Sequence, residues 1–448
     1  MTKKALYLLL ILAFSFGAVV VSAQDGNEGK TPLDPMDDTF HWGDLEMWQG
    51  MEGTTVEVFG AIEGVEAEWL QAEVFGPFSE ATGITVEYEG SGDFETLVLI
   101  RAEGGDPPDI ALFPQPGLIQ DQVDRGYLLP LWPELVEYVE SVNSSAWIDL
   151  QTFNDELYGL NFNANVKSIV WYPVPEFEEA GYAVPETWDE LMALSDQIVA
   201  DGSTPWCIAV ESSGATGWPA TDWVEDIMLR TVDATVYDQW VNHEIPFNDD
   251  RVKAAIELFG SVALNPDYVY GGPTAILSTR FQDGANPLFD DPPSCWMHRQ
   301  ASFIAGLWSG GVAGEDASFF YFPPIDESIG KPVLGGASVG VMYADNDRPE
   351  VRAVMEFLAH ALSQELFAPQ GSFLSPHQEV AMEAYPDELS RLQAAILRDA
   401  DIFRFDGSDL MPGAIGAGAF WTAMVDYIGG ESVDDITTFV ENAWQDLE

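Results

Sequence analysis

Acidic side chains are the most abundant groups in this sequence that could do chemistry. The 448 residues include 75 Asp and Glu against 17 Lys and Arg. A pair of carboxyl groups can hydrolyse a glycosidic bond, but with so many carboxylates such pairs arise in any fold. A secreted glycoside hydrolase is therefore an alternative without a signal of its own. We predict no catalytic residue, because GxSxG, HExxH, P-loop and Rossmann glycine motifs are all absent, and GAIGAG at 413–418 follows a Pro turn instead of a strand.

The charge balance excludes several classes of partner. The formal net charge is −58, and a surface this acidic repels phosphate backbones and anionic lipid headgroups. Nucleic acid is therefore not an expected partner. The acidity indicates a saline or acidic medium more directly than it indicates a ligand.

The cysteines are Cys207 and Cys295, so at most one intramolecular disulfide can form. An oxidising compartment favours that disulfide over two free thiols. Two Cys and five scattered His show no metal-ligand spacing, so we expect neither a metal nor another cofactor.

The N-terminus has the pattern of a secretion signal. Lys3 and Lys4 precede an apolar run over 5–21, and Val21-Ser22-Ala23 matches a cleavage site. We assign 1–23 as a signal peptide, with an uncleaved membrane anchor as the alternative because the run has about the minimum spanning length. The protein is thus expected to be exported, either soluble or tethered by this segment.

A β-α-β-α-β order follows the polar stretch 24–53, which we interpret as a leader or linker. Alternating residues predict strands over 54–60 and 84–88, with helices over 63–78 and 94–102. The apolar run 109–113 lies between proline pairs and predicts a parallel strand buried on both faces. This order indicates a doubly wound α/β fold. Ligands of such sheets bind beyond the carboxyl ends of the strands, so loop 114–117 is expected to border a cleft.

Several segments together resemble one known family. They are GDPPDIALF, KSIVWY with PETWDEL, SFIAGLWSGG, FFYFPP, KPVLGG and DLMPGAIGAGAFW. Their order and spacing are similar to those of the extracellular sugar-binding proteins of ABC importers, especially the maltose-binding and α-glucoside-binding members. The resemblance extends over nearly all of the chain that follows the signal.

The resemblance implies two α/β lobes with an interlobe ligand cleft. The first lobe would comprise 54–163 plus 333–376, and the second 164–332 plus 377–448. Gly335-Gly336 and Asn163-Ala164-Asn165 would be hinges. The implied function is a non-catalytic, monomeric receptor that captures an oligosaccharide such as maltose or trehalose and delivers it to a membrane permease. A non-sugar solute such as a polyol phosphate is the alternative on the same fold.

The resemblance also implies a set of ligand-binding residues: Glu63, Gln115, Trp218, Asp222, Trp223, Trp308, Ser338, Arg404, Asp409 and Trp421. Trp308 and Trp421 match positions where the family stacks tryptophan on sugar, and each could instead be an ordinary core residue. Trp218, Asp222 and Trp223, in ATGWPATDWVED, resemble a cleft loop of the α-glucoside branch, with a Pro-interrupted helix start as the alternative.

The other members of this set also have two interpretations. Glu63 matches a charged hydroxyl binder but could simply favour a helix dipole. Gln115 replaces the aromatic and charged groups that maltose binders carry on the same lip. Ser338 would offer a hydroxyl or an amide to the cleft. Arg404 and Asp409 would either pair with each other or contact the ligand. Asp93, outside the set, is expected to cap the helix that begins at Phe94.

Overall fold

The computed structural model describes residues 30–34 and 41–447. The signal predicted over 1–23 lies outside the described residues. The strands are β1 Thr55–Gly60, β2 Thr85–Gly90, β3 Ile110–Phe113, β4 Leu128–Leu129, β5 Thr152–Phe153, β6 Glu156–Leu157, β7 Gly159–Val166, β8 Ile169–Pro173, β9 His298–Arg299, β10 Ala317–Tyr321, β11 Val333–Tyr343 and β12 Phe403–Phe405. Among residues 30–34 and 41–447, no helix combines the length and apolar character needed to cross a membrane.

Helices connect and cover these strands. They are α1 Gly64–Trp69, α2 Gly76–Thr82, α3 Phe94–Gly104, α4 Pro116–Asp124, α5 Pro133–Val142, α6 Ser145–Asp149, α7 Val174–Ala180, α8 Trp188–Ala200, α9 Trp218–Thr231, α10 Ala234–Val241, α11 Asp250–Ala263, α12 Pro273–Ser278, α13 Pro349–Ala359, α14 Ala361–Phe367, α15 Glu388–Arg398, α16 Gly407–Leu410, α17 Trp421–Gly429 and α18 Val433–Leu447. The π-helical segments Leu70–Phe75 and Ala414–Phe420 lead into α2 and α17.

The larger sheet has the order β12-β11-β3-β1-β2, with β4 and β7 also paired to β11. Strand β1 is parallel to β2 and β3, whereas β11 is antiparallel to β3 and β7. All four residues of β3 are buried. Ile110 and Leu112 pack into the core on one face of the sheet, and Ala111 and Phe113 pack into the core on the other. The prediction of a strand covered on both faces is therefore confirmed.

The smaller sheet is antiparallel, in the order β10-β8-β9. It packs with helices α7 to α12, α17 and α18 around a second hydrophobic core. The disulfide Cys207–Cys295 is present next to this sheet, with 5.6 Å between the Cα atoms. Its flanking segments are paired, since Cys207 donates its N–H to Met297 O at 2.8 Å. The predicted disulfide is confirmed.

The stretch 41–53 is a correction to the interpretation of 24–53 as a leader or linker. Trp42, Leu45 and Trp48 are buried in the core of the larger sheet. The Trp42 and Trp48 rings stack with centroids 5.0 Å apart. Two single 3-10 turns place these residues, and elements that short leave no periodicity in a sequence.

Strands β7 and β11 form the longest strand pair, in which Gly159 lies opposite Val341 at one end and Val166 lies opposite Gly335 at the other. Both predicted hinge segments lie on this pair. Strand β12, which the prediction placed in the second lobe, adds to β11 next to Val333. The lobe boundaries 54–163 plus 333–376 and 164–332 plus 377–448 stay a prediction.

Candidate functional site

A cavity of about 480 Å³ opens beyond the carboxyl ends of β1, β2 and β3. It lies where the sequence places a cleft, at the edge where parallel strands end. The strand-end loops contribute Ala61, Ser91 and Pro114, and the opposite wall comes from 212–218, 280–282, 303 and 307. Its floor is formed by residues 165, 167 and 336–338 and by the segment that contains Asp406 and Asp409.

Six of the ten predicted ligand-binding residues line this cavity: Glu63, Gln115, Trp218, Ser338, Asp409 and Trp421. Glu63 precedes α1, and Gln115 precedes α4. Trp218 and Trp421 are the first residues of α9 and α17. The structure thus brings residues from distant parts of the sequence together. Their contact with a ligand stays a proposal.

The structure does not bring Trp223, Trp308 or Arg404 to the cavity. Trp223 is 1% exposed, with its ring centroid 5.1 Å from that of Trp206. Trp308 packs edge-on against Trp171 at 5.0 Å between ring centroids. Trp308 thus has the position that its alternative interpretation as an ordinary core residue describes, and Trp223, on α9, is a core residue as well.

Arg404 and Asp93 have partners other than those expected. Arg404 binds both carboxylate oxygens of Asp238, at 2.6 and 2.9 Å, and so does not pair with Asp409. Asp93 stands at the N-cap position of α3, but its side chain makes no capping hydrogen bond there. Its Oδ1 accepts the backbone N–H of Gly214 at 3.1 Å, across the cavity mouth. In both cases the partner is more than 100 positions away in the sequence, beyond the reach of local pattern analysis.

Aromatic side chains form one wall of the cavity. Trp218 has its ring centroid 5.0 Å from Phe281 and 6.0 Å from Phe303, and Phe303 stacks with Phe373 at 5.9 Å. Trp421 donates its indole N–H to Ser408 Oγ at 3.3 Å, which fixes the ring from behind. Flat apolar surfaces of this kind suit the C–H faces of a small cyclic ligand.

Three buried side chains of the lining carry an oxygen that accepts no hydrogen bond from any described residue. These atoms are Glu66 Oε1, Gln115 Oε1 and Asn165 Oδ1, and Gln282 Oε1, on a half-buried side chain of the lining, also lacks a donor. Gln115 donates its amide N–H to Glu95 Oε1 at 3.0 Å, which fixes the direction of its carbonyl. Buried acceptors without a donor are costly, so this arrangement favours a ligand that brings several O–H or N–H donors.

The floor contains a buried charge network centred on Lys167. Its Nζ lies 2.9 Å from Asp222 Oδ1, also contacts Asp406, and lies 3.9 Å from Asp409 Oδ2. Asp222 is fully buried, so this predicted ligand-binding residue holds Lys167 from beneath. The Lys167 ammonium also lies 5.5 Å from the centre of the Trp218 ring. The network thereby positions both the floor and the wall.

Burial and mutual charge set the protonation of this network. Burial alone would lower the pKa of Lys167, but the surrounding carboxylates raise it well above its ordinary value. Burial raises the pKa of Asp222 to about 7, against the opposing effect of Lys167. Burial, with the charge of Asp406, raises the pKa of Asp409. Asp406 is the exception, because Lys167 lowers its pKa in spite of burial. The network therefore keeps the Lys167 ammonium protonated, and the neighbouring carboxylates balance its charge.

The sequence analysis missed Glu66, Glu95, Asn165, Lys167, Phe303 and Asp406, all of which line the cavity. Lys167 and Phe303 lie within KSIVWY and SFIAGLWSGG, two motifs that were quoted only for the family resemblance. The carboxylates of Asp222, Glu225 and Asp406 lie close enough to one another to hold a cation. Lys167 already supplies that positive charge, so we assign no metal there.

The decisive comparison is with protein families. The family described as "Bacterial extracellular solute-binding protein" matches residues 63–365, more than half of the chain. The chain belongs to this family. This solute-binding protein is therefore not an enzyme, and the glycoside hydrolase alternative is dropped.

Two similar relatives have different printed ligands. The "Alpha-glucosides-binding periplasmic protein AglE" of Rhizobium meliloti is 45% identical over 92% of this chain and 92% of its own length. The "Osmoprotective compounds-binding protein GgtB" of Synechocystis sp. is also 45% identical, over 87% of this chain and 92% of its own. The relatives agree on solute binding and differ in what they are named for.

Solved structures confirm the two-lobed α/β fold. The bacterial solute receptor AcbH, described with a preference for β-D-galactopyranose, superposes with a TM-score of 0.77 at 18% identity, covering 88% of this chain and 99% of its own. Maltose-bound MalE3 of T. maritima has a TM-score of 0.70 at 13% identity, covering 88% and 100%. At these identities the comparison establishes the fold alone.

Proposed function

We propose that this solute-binding protein captures a short α-glucoside, such as maltose or trehalose, and delivers it to the permease of an ABC importer. The observation that carries the proposal is the set of three unpaired acceptor oxygens, Glu66 Oε1, Gln115 Oε1 and Asn165 Oδ1, beside an aromatic wall. Sugar hydroxyls supply donors to such oxygens, and sugar C–H faces cover aromatic rings. The cavity volume of about 480 Å³ lies within the range of about 300–1,000 Å³ found for small-ligand sites.

Capture would proceed by closure of the cleft. A ligand that contacts both walls favours the closed form by the contacts that exist only there. The permease would then distinguish the closed receptor from the open one. We further propose that the protein works outside the cytoplasmic membrane as a monomer, in keeping with the extracellular family.

An anionic solute such as a polyol phosphate fits this site less well. Lys167 is neutralised by Asp222 and Asp406. Arg280 remains as a lining cation without an ion pair to any described residue, whereas Glu63, Glu66, Glu95 and Asp409 also line the cavity. Phosphate recognition relies on several charge-assisted donors, which this lining does not offer.

A second candidate is a non-sugar osmoprotective solute, favoured by the equal identity to GgtB. A thermal-shift screen distinguishes the two, because a ligand that binds the folded state raises the melting temperature by mass action. We expect maltose or trehalose to raise it and to be recovered intact, and glycine betaine, a zwitterionic quaternary ammonium compound, to have no effect. A shift with glycine betaine alone would overturn the sugar proposal.

A further inference from the structure

Glu66 occupies an unusual place for a carboxyl group. It lies on α1, is 4% exposed and lines the cavity. It makes no ion pair within the part of the chain that the structure describes. The turn over 302–306 approaches it from the opposite side, so closely that a Cβ at Gly306 would lie 3.2 Å from Glu66 Oε1 and 2.2 Å from Ser372 Oγ. Glu66 is therefore enclosed on both sides.

The surroundings of Glu66 favour a protonated carboxyl group, because the side chain is buried and no described cation forms an ion pair with it. Ser372 donates its hydroxyl hydrogen to Gln370 Oε1, which also accepts the Ser372 backbone N–H at 3.0 Å. The Ser372 hydroxyl is thus already bonded to Gln370, and a neutral hydroxyl does not replace the counterion that an ionised Glu66 would need. Burial raises the pKa of Glu66 to about 8, and the bond to Ser372, which lowers this pKa, offsets only part of that effect.

The titratable groups that face Glu66 are few. Glu63 lies on the same chain segment, and Tyr88 of β2 is close enough for a charge on Glu66 to raise its pKa, which burial already raises. The segments 302–306 and 370–373 contribute no titratable side chain. Across the cavity lie Glu95, Asp409, Lys167 and Arg280. None of the cations contacts Glu66 directly, so an ionised Glu66 would lack a counterion.

We propose that Glu66 binds the ligand as a neutral carboxylic acid, and that it restricts the cleft to uncharged, hydroxyl-rich solutes. This inference rests on the proposed function. Its Oε1, which accepts no hydrogen bond from any described residue, is the acceptor for a ligand hydroxyl. Ionisation places an unpaired charge against the ligand in a cleft from which closure removes water, and this opposes binding.

The test is calorimetric titration with maltose between about pH 6.5 and pH 9.5. If only the neutral form binds, affinity is constant at the acidic end and falls about 30-fold by about pH 9.5. In Glu66→Gln, a neutral side chain of the same shape, this fall should disappear. Glu68→Gln is the matched control, because Glu68 is an exposed residue of α1 outside the lining and should retain the fall.

A second readout excludes a merely structural role. At about pH 9, wild type should take up close to one proton as maltose binds, measured in two buffers of different ionisation enthalpy. Glu66→Gln should take up none. An unchanged affinity across the pH range, or the same fall in Glu66→Gln, would overturn the role of Glu66 while leaving the proposed function standing. No binding of maltose or trehalose by wild type at about pH 6.5 would refute the proposed function, and the inference would fall with it.

Discussion

Replacing Trp218 or Trp308 singly with Ala tests two different roles, ligand binding for Trp218 and core packing for Trp308. Covering about half of one indole face removes roughly 60 Å² from water, which corresponds to about 1.5 kcal/mol. Trp218 lines the cavity, so Trp218→Ala should weaken sugar binding about 10- to 100-fold. Trp308 is 8% exposed and packs against Trp171 and Phe289. Its removal should lower the free energy of unfolding by about 3–5 kcal/mol.

The measurements are urea unfolding of both variants and calorimetry on protein shown to be folded. Trp308→Ala should bind the sugar within about threefold of wild type once it is folded. The reasoning would be refuted if folded Trp308→Ala lost as much affinity as Trp218→Ala. It would also be refuted if Trp218→Ala bound normally, since the aromatic wall would then not contact the ligand.

Three further predictions follow from the same contacts. Gly306→Ala places a Cβ against Ser372 and should weaken sugar binding at least about tenfold by preventing full closure of the cleft. The control Gly104→Ala places its Cβ in open space and should leave the affinity unchanged. Equal affinities of the two variants would contradict the close approach at Gly306. Reducing Cys207–Cys295, which closes a separation of 88 residues, should lower the free energy of unfolding by about 4–5 kcal/mol, and an unchanged melting temperature would refute this. The folded-state pKa of Glu66 is raised from 4.5 to about 8. Between these pH values, wild type should therefore lose about 1.4 kcal/mol of unfolding free energy per pH unit relative to Glu66→Gln. If chemical denaturation showed the same difference in unfolding free energy at every pH, Glu66 would be ionised in the folded protein.

The elements that could be predicted from the sequence are those that local pattern determines. Proline pairs and an uninterrupted apolar run define β3, and its parallel neighbours place the cavity beyond its end. Thr187 caps α8 by accepting the N–H of Glu190, and a Thr followed by a Glu three residues later is the local pattern of such a cap. The disulfide followed from the presence of two cysteines in a chain that the sequence predicts to be exported. In each case the determining residues are close in sequence or few in number.

The remaining features depend on contacts that no local pattern encodes. Phe303 and Trp308 lie in one motif, and the 3-10 turn over 302–306 decides which aromatic ring faces the cavity. Arg404 pairs with Asp238, which lies 166 positions away in the sequence. Lys167 acquires its role only when α9 and the segment at Asp406 pack around it. Tertiary packing therefore determines what each of these side chains contacts, and the position of a residue within a sequence motif does not.

The most direct test of the central claim is a crystal structure of the protein grown with maltose. The account predicts one sugar in the cavity of about 480 Å³, with a ring on Trp218 and hydroxyls within about 3.2 Å of Glu66 Oε1, Gln115 Oε1 and Asn165 Oδ1. A sugar bound elsewhere, or one in this cavity that leaves these three oxygens without a hydroxyl partner, would contradict it.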